Sequence, residues 1–214
     1  AQKEVAYFRD SAQTLERLVA HYPQAEYWAD LLPRLQRQPG FAERLQLPTL
    51  RLMRQVGALE DADDFLEMAQ LSLKAGLPGE AKAVLEKGFA KGVLGKGPGA
   101  PQHQRLLESA RKQAAADEAQ FTTNEARART AADGGPLFNL GLAVATAGQA
   151  DKGLPLMQQG LAKGVARQPN DARLHLGAAL LANKRRAEAE PLLRGLPGDD
   201  GLADLARLWL LAVR

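Results

Sequence analysis

The sequence predicts an all-α protein, built as a right-handed α-solenoid of paired helices with about four to five units and a period near 36 residues. The composition favours helices, because Ala, Leu, Gln, Glu, Lys and Arg dominate and isoleucine is absent. Two octapeptides nearly repeat each other, "EKGFAKGV" at 86–93 and "QQGLAKGV" at 158–165. A repeat at a fixed period of this length is typical of a helical solenoid.

The likeness extends well beyond the octapeptides. The stretch 65–93, "FLEMAQLSLKAGLPGEAKAVLEKGFAKGV", aligns without a gap on 137–165, "LFNLGLAVATAGQADKGLPLMQQGLAKGV". A third copy lies 36 residues further on, where "LHLGAALLANKRRAEAEPLL" at 174–193 aligns on "FNLGLAVATAGQADKGLPLM" at 138–157. The offset of 72 between the first two copies is therefore two periods.

Each unit predicts two helices. The first helix ends at a turn, at Gly76, Gly148 or Asn183-Lys184, and the second carries Leu or Met every three to four residues. Glycine inside a helix costs about 1 kcal/mol relative to alanine. We therefore expect the small residues of the first helices to allow a close approach of two helices; these are Ala69, Gly141 and Gly177. The octapeptides form the end of the second helix, where Gly relaxes the chain and Lys lies near the negative end of the helix dipole.

These units resemble tetratricopeptide repeats. Leu140-Gly141 with Val144 and Met157, and Leu176-Gly177 with Leu180, Ala189 and Leu193, match that pattern, and Trp28 with Leu31 suggests an earlier copy. The period of 36 rather than 34, Gly153 after the turn and Arg173 in place of a large apolar residue depart from it. The match covers about half of the chain.

The chain also resembles a narrower group, uncharacterised repeat proteins of the Gram-negative bacterial envelope. The resemblance is carried by "YWADLLPRLQRQPGFAERLQL", "DDFLEMAQLSLKAGLPGEAKAVLEKG" and "DGLADLARLWLL". It implies a C-terminal part of a longer exported protein located in the periplasm or cell envelope. A cytoplasmic location is the alternative, since a chain with no cysteine fits either compartment.

The segments between the clear copies complete a single domain. The predicted order is a degenerate N-terminal repeat or repeats over 1–60, a repeat over 61–93, a loop over 94–101, an Ala-rich segment over 102–134, repeats over 135–168 and 169–197, and a capping helix over 199–214. The Ala-rich segment is either one long helix or a degenerate helix pair, and the absence of Gly and Pro from most of it favours one helix. Trp209 is expected to cover the end of the last pair.

Charge and hydropathy exclude several classes of function. Lys plus Arg number 28 and Asp plus Glu 25, and the charges interleave, so neither nucleic-acid binding nor a membrane span is expected. One basic block, 34–54, precedes an acidic run, 60–67. We expect these two segments to face each other or solvent, with a binding patch as the alternative.

No residues with a catalytic, cofactor-binding or metal-binding pattern were found, and the chain is predicted not to be an enzyme. His21, His103 and His175 lie in different units, whereas a zinc site needs three or four convergent ligands. The segment "GKGPG" lacks the spacing and the hydroxyl of a phosphate-binding loop. A polymer-processing enzyme remains a remote alternative.

A solenoid leaves a concave face lined by the first helix of each pair. The residues predicted to face this groove, and to bind a protein or peptide partner, are Leu66, Gln70, Leu73, Lys74, Phe138, Leu142, Thr146, Leu174, Ala178 and Leu181. Because the set is mostly apolar and Lys74 is nearly its only cation, an amphipathic helix or peptide is favoured over a carboxylate. The alternative is a structural role, in which other repeats or a second copy fill the groove.

Overall fold

The computed structural model describes residues 14–213, and within that range the chain is all-helical, without a β-strand. The all-α prediction is therefore confirmed. Helix α1 covers 14–21 of the described residues and a 3-10 turn covers Glu43–Leu45. The other helices are α2 Ala25–Gln36, α3 Gln46–Val56, α4 Ala62–Lys74, α5 Pro78–Ala90, α6 Ala100–Thr130, α7 Gly135–Thr146, α8 Ala150–Lys163, α9 Pro169–Ala182, α10 Arg186–Leu193 and α11 Leu202–Ala212.

The three aligned copies correspond to the pairs α4/α5, α7/α8 and α9/α10, and their turns have the same geometry. Gly76, Gly148 and Lys184 all adopt a positive φ, at 71°, 96° and 61°. In each turn the next residue donates its N–H to a carbonyl five residues back, as Leu77 does to Ser72, Gln149 to Val144 and Arg185 to Leu180. These bonds satisfy carbonyls that the ending helix leaves free. The predicted turn positions are thus confirmed.

The repeated octapeptide has a structural reason. Lys91, at the end of α5, donates from Nζ to the carbonyl oxygen of Leu59 at 3.2 Å. The equivalent Lys163, at the end of α8, donates to the carbonyl oxygen of Ala131 at 2.5 Å. Leu59 and Ala131 are themselves equivalent positions, each just before the first helix of its unit. In both units the lysine therefore connects the end of the second helix to the residues just before the first helix of the same unit.

The pair α7/α8 packs backbone against backbone. An added Cβ on Gly141 would lie 2.6 Å from the N atom of Met157, and one on Gly153 would lie 2.4 Å from the N atom of Ala145. One on Gly160 would lie 2.5 Å from the N atom of Phe138. The predicted close approach at Gly141 is present. Gly177 faces the second helix of its own unit in the same way, but meets the Leu193 side chain instead of backbone.

The Ala-rich segment is one helix. Helix α6 runs for 31 residues without interruption. Its first half packs on α5 through Leu107 and Ala110, and its last turns reach α7 and α8 through Ala128. Of the two alternatives that the sequence left open, the structure has the single long helix.

Helix α3 joins the two ends of the described chain. It contacts α2 and α4 on one side and α11 on the other, while α11 also contacts α9 and α10. The N–H of Ala42 donates to the carbonyl oxygen of Asp200 at 2.9 Å, and Trp28 and Trp209 are both buried. The N-terminal helices of the described range therefore pack, through α3, against both α4 and the C-terminal helix α11.

The hydrophobic core follows the predicted register. The helical register of the first helices predicts that Phe65, Met68 and Ala69 of α4, Leu137, Leu140, Gly141 and Val144 of α7, and Leu176, Gly177 and Leu180 of α9 face the core. The predicted residues of α4 and α9 are all buried. In α7, Leu137 and Gly141 are buried, whereas Leu140 and Val144 are half-buried because they border a cavity beneath α6. The 3.6-residue period was thus sufficient to orient the first helices.

Candidate functional site

A cavity of about 750 Å³ lies between α3, the end of α4, α7 and the start of α9. We call it the inner cavity. Its apolar lining consists of Leu47, Pro48, Leu71, Leu77, Phe138, Leu142, Val165 and Ala172. Its charged and polar lining includes Glu43, Arg44, Gln46, Arg51, Lys74, Asn139, Arg167, Gln168, Asp171 and His175. Elements far apart in sequence therefore build one pocket, of the size that small molecules and short peptides occupy.

A buried ion pair fixes one wall of the inner cavity. Arg51 of α3 donates from Nε and Nη2 to the two carboxylate oxygens of Glu80, at 2.8 and 2.7 Å. Glu80 is fully buried and the Arg51 side chain is 8% exposed. The Ser72 hydroxyl of α4 lies 3.3 Å from Oε2 of Glu80, while it donates at 2.8 Å to the carbonyl oxygen of Met68. The geometry is bidentate, which combines strength with a fixed orientation of the guanidinium group.

Arg51 also affects the tautomer and the pKa of His175 on α9. Nη1 of Arg51 lies 3.2 Å from Nδ1 of His175, and because arginine only donates, Nδ1 is the acceptor. Burial, followed by the positive charge of Arg51, lowers the pKa of His175 to about 3. The imidazole is therefore neutral at physiological pH, with its proton on Nε2.

We expect His175 to make the protein sensitive to acid. Its pKa is lower in the folded chain than the ordinary value of 6.5, so the unfolded chain binds the proton first as pH falls. The stability that neutral His175 provides is complete above pH 6.5 and is lost progressively towards pH 3. Between these values the free energy of unfolding should fall by about 1 kcal/mol per pH unit more in the native protein than in His175→Gln. Urea titrations at several pH values measure this difference, and parallel curves for the two proteins would contradict it.

Three further cations lie at the rim of the inner cavity. Arg44 donates to Asp171 at 2.6 Å and to Asp200 at 2.7 Å, which links the 3-10 turn to the start of α9 and to the residues before α11. The hydrogen bond from Arg44 is the main cause that lowers the pKa of Asp200. Lys74 pairs with Glu43, but both side chains are largely exposed. The expectation that the basic block and the acidic run face each other or solvent is wrong for Arg51, which is buried against Glu80, whereas Arg44 is exposed and pairs with acids outside the acidic run.

Arg167 differs from these cations. It lines the inner cavity, is exposed, and has no ion-pair partner among residues 14–213. The neighbouring Gln168 adopts a left-handed backbone, with φ at 51°, as α9 begins. Among the cations that line the inner cavity, Arg167 is therefore the one that forms no ion pair within the described residues.

The ten residues predicted to bind a partner fall into three groups. Lys74, Phe138 and Leu142 line the inner cavity. Gln70 is exposed, and Leu66, Leu73 and Thr146 are half-buried. Leu174, Ala178 and Leu181 are buried outside the lining of the inner cavity, so the prediction that they face an open groove is wrong, whereas Phe138 and Leu142, which are also buried, reach the cavity wall. The physical reason is that α9 is packed on more than one face, by α7, α8 and α11 as well as by α10.

Sequence reasoning missed Arg51, His175, Arg44 and Arg167 as members of one site. One signal was present, since Arg51 stands between Leu50 and Leu52 in an apolar stretch of α3. A charge in such a stretch indicates a buried partner, but α3 lies outside the three aligned copies, so the repeat register does not describe its packing. The partner, Glu80, could not be identified from spacing.

Neither a protein-family model, nor a curated protein, nor a solved structure matches the chain. Between residues 14 and 213, no helix has both the length and the apolar character needed to cross a membrane. In the same part of the chain, no three His, Asp or Glu side chains are grouped in a way that could hold a metal ion. Fold and site together define an all-helical protein with an inner cavity that has an apolar wall and a charged rim.

Proposed function

We propose that the protein is a non-catalytic binding module, a solenoid of tetratricopeptide-like helix pairs that holds a short peptide segment of another protein. The observation that carries the proposal is the inner cavity, with Phe138 and Leu142 on its apolar wall and the unpaired Arg167 at its rim. Fixed apolar walls with a few polar groups are what ligand sites in proteins have in common. We extend the proposal to a periplasmic or envelope location, on the sequence resemblance alone.

The lining of the inner cavity favours an extended peptide over an amphipathic helix. An extended peptide has backbone N–H and C=O groups free to bond polar side chains, whereas a helix uses these groups internally. A few extended residues fit the inner cavity, and their backbone groups can bond the polar side chains of Gln46, Asn139 and Gln168.

A peptide array tests the proposal. We expect a labelled protein to select pentapeptides from a random array, and the selected peptides to lose at least tenfold in affinity with Leu142→Glu, because that change buries a carboxylate against the bound apolar side chain. Arg167→Gln changes only an exposed side chain, and should weaken binding of acidic peptides about threefold or more, since one charge pair is lost. Fluorescence anisotropy measures both affinities.

The matched control is Val144→Glu. Val144 lies on the face of α7 opposite to Leu142 and borders the cavity beneath α6 instead of the inner cavity. This variant should bind the selected peptides as the native protein does. The proposal fails if the array selects no peptide above background, or if all variants bind alike while circular dichroism shows them folded.

A structural role is the second candidate, and one observation favours it. The contact between α3 and α11, with Arg44 joining Asp171 and Asp200, lets the chain fill much of its own concave face. A protein that stacks on further repeats or on a second copy through this face binds no separate ligand there. Light scattering separates the two, because self-association at micromolar concentration supports the structural role and a monomer argues against it.

A further inference from the structure

A second cavity, of about 640 Å³, lies beneath the middle of α6, between α5 and α7. We call it the α6 cavity. Helices α5 and α7 approach each other at one end, where an added Cβ on Gly79 would lie 2.6 Å from Cβ of Ala147. Helix α6 contacts α5 near its own start and α7 near its own end, and residues 115–120 between these contacts are exposed. Helix α6 thus spans a cleft that it does not fill.

The repeat register explains why this space exists. The copies at 65–93 and 137–165 are two periods apart, so one whole helix pair belongs between them. The chain supplies a single helix there. The second helix of that unit is missing, and the α6 cavity lies against the surfaces that this helix would cover.

The floor of the α6 cavity is apolar and incompletely buried. Leu140, Ala143 and Val144 of α7 line it together with Ala83 of α5, and each of them is half-buried. Phe121 of α6 lies at the side of the floor, with Nζ of Lys152 at 3.3 Å from its ring centroid. Apolar side chains that line a cavity without being covered favour occupation by an apolar surface.

The middle of the α6 edge and the facing edge of the α6 cavity carry opposite charges. The α6 edge has Asp117 and Glu118, with Arg127 nearer the end of the helix, and the edge formed by α5 and α8 has Lys82 and Lys152. Glu86 on that second edge already pairs with Arg111. Asp117, Glu118, Lys82 and Lys152 have no ion-pair partner within the described range 14–213. Burial raises the pKa of Asp117, with no cation to oppose the shift. Asp117, Glu118 and Lys82 are therefore free to pair with an occupant, whereas Lys152 already lies over the Phe121 ring.

We propose that the α6 cavity binds an amphipathic helix of a partner protein, which takes the place of the missing second helix of this unit. Its apolar face lies on Ala83, Leu140 and Val144, its basic flank on Asp117 and Glu118, and its acidic flank on Lys82 and Lys152. A volume of about 640 Å³ holds the inward half of roughly three helical turns. This site is separate from the inner cavity, and the proposal does not depend on peptide binding there.

Three designed 14-residue helical peptides test the proposal by fluorescence anisotropy. All carry the same leucine face; one has lysines on one flank and glutamates on the other, one has lysines on both flanks, and one has glutamates on both. We expect the native protein to bind the mixed peptide about tenfold more tightly than either of the others, because only this peptide pairs with both edges. The charge-swapped variant Lys82→Glu/Lys152→Glu should prefer the peptide with lysines on both flanks.

Two single variants locate the site. Val144→Glu should abolish binding of the mixed peptide, and Leu142→Glu should leave it unchanged, since Leu142 lines the inner cavity. The proposal is overturned if no peptide binds, if the all-glutamate peptide binds best, or if Val144→Glu binds like the native protein. It is also overturned if light scattering shows a dimer that Val144→Glu dissociates, because the occupant is then a second copy of the chain.

Discussion

Replacing Arg51 with methionine is expected to lower the free energy of unfolding by about 3–5 kcal/mol. Glu80 has no exposed surface, and the change removes both hydrogen bonds that Arg51 donates to its carboxylate. An unpaired charge that stays buried costs far more than the ion pair itself contributes. Nδ1 of His175 loses its donor in the same variant. Denaturant unfolding, monitored by circular dichroism, measures this change in the free energy of unfolding.

Two comparisons make the test specific to burial. The double variant Arg51→Met/Glu80→Met should recover most of the loss, because both charges are then absent and two apolar side chains of similar volume replace them. Lys74→Met breaks an ion pair whose side chains are 73% and 75% exposed, and should cost less than about 1 kcal/mol. A double variant as unstable as Arg51→Met would contradict the explanation.

Replacing Gly141 with alanine is expected to destabilise the protein by about 3 kcal/mol, although alanine is the better helix former. The added Cβ would lie 2.6 Å from the N atom of Met157 and 2.7 Å from the carbonyl oxygen of Gly153. Both are backbone atoms of α8, so no side-chain rotation relieves the overlap. The two helices must separate, and the contacts along α7 and α8 loosen together.

Gly177→Ala is the matched control. Gly177 has the same place in its unit, but its added Cβ would meet only side-chain atoms of Leu193, at 2.5–3.0 Å. Leu193 is buried, but its side chain can shift where backbone atoms cannot, so the loss should be smaller than for Gly141→Ala, at about 1–2 kcal/mol. Equal melting temperatures for Gly141→Ala and native protein would show that α7 and α8 are not in backbone contact.

Local features of the fold were predictable because local interactions produce them. The turns at Gly76, Gly148 and Lys184 are hydrogen-bonded within a few residues, and the octapeptide lysines bond within their own unit. The core-facing residues of α4 and α9 follow from the helical period alone. Each of these properties repeats with the sequence, so an alignment of the chain with itself was enough to find them.

The candidate site was predictable only in part. Lys74, Phe138 and Leu142 lie on repeat helices, and the register assigned them to the inner face. Arg44 and Arg51 come from a segment that aligns poorly with the repeats, and Arg167 comes from the linker before α9. Whether these side chains line one cavity depends on how α3 packs, and the repeat period does not determine that packing.

The sequence by itself determined the helix pairs of the three aligned copies, their equivalent turns and the close approach at Gly141, because each depends on neighbours within about one repeat. Only the tertiary structure decided that α3 packs against α4 and α11, that Arg51 meets Glu80 and His175, and that α6 spans an unfilled cleft. Those contacts join residues 29 and 124 positions apart. Which residues pair depends on burial and charge in the folded chain, and these pairs do not recur at the repeat period.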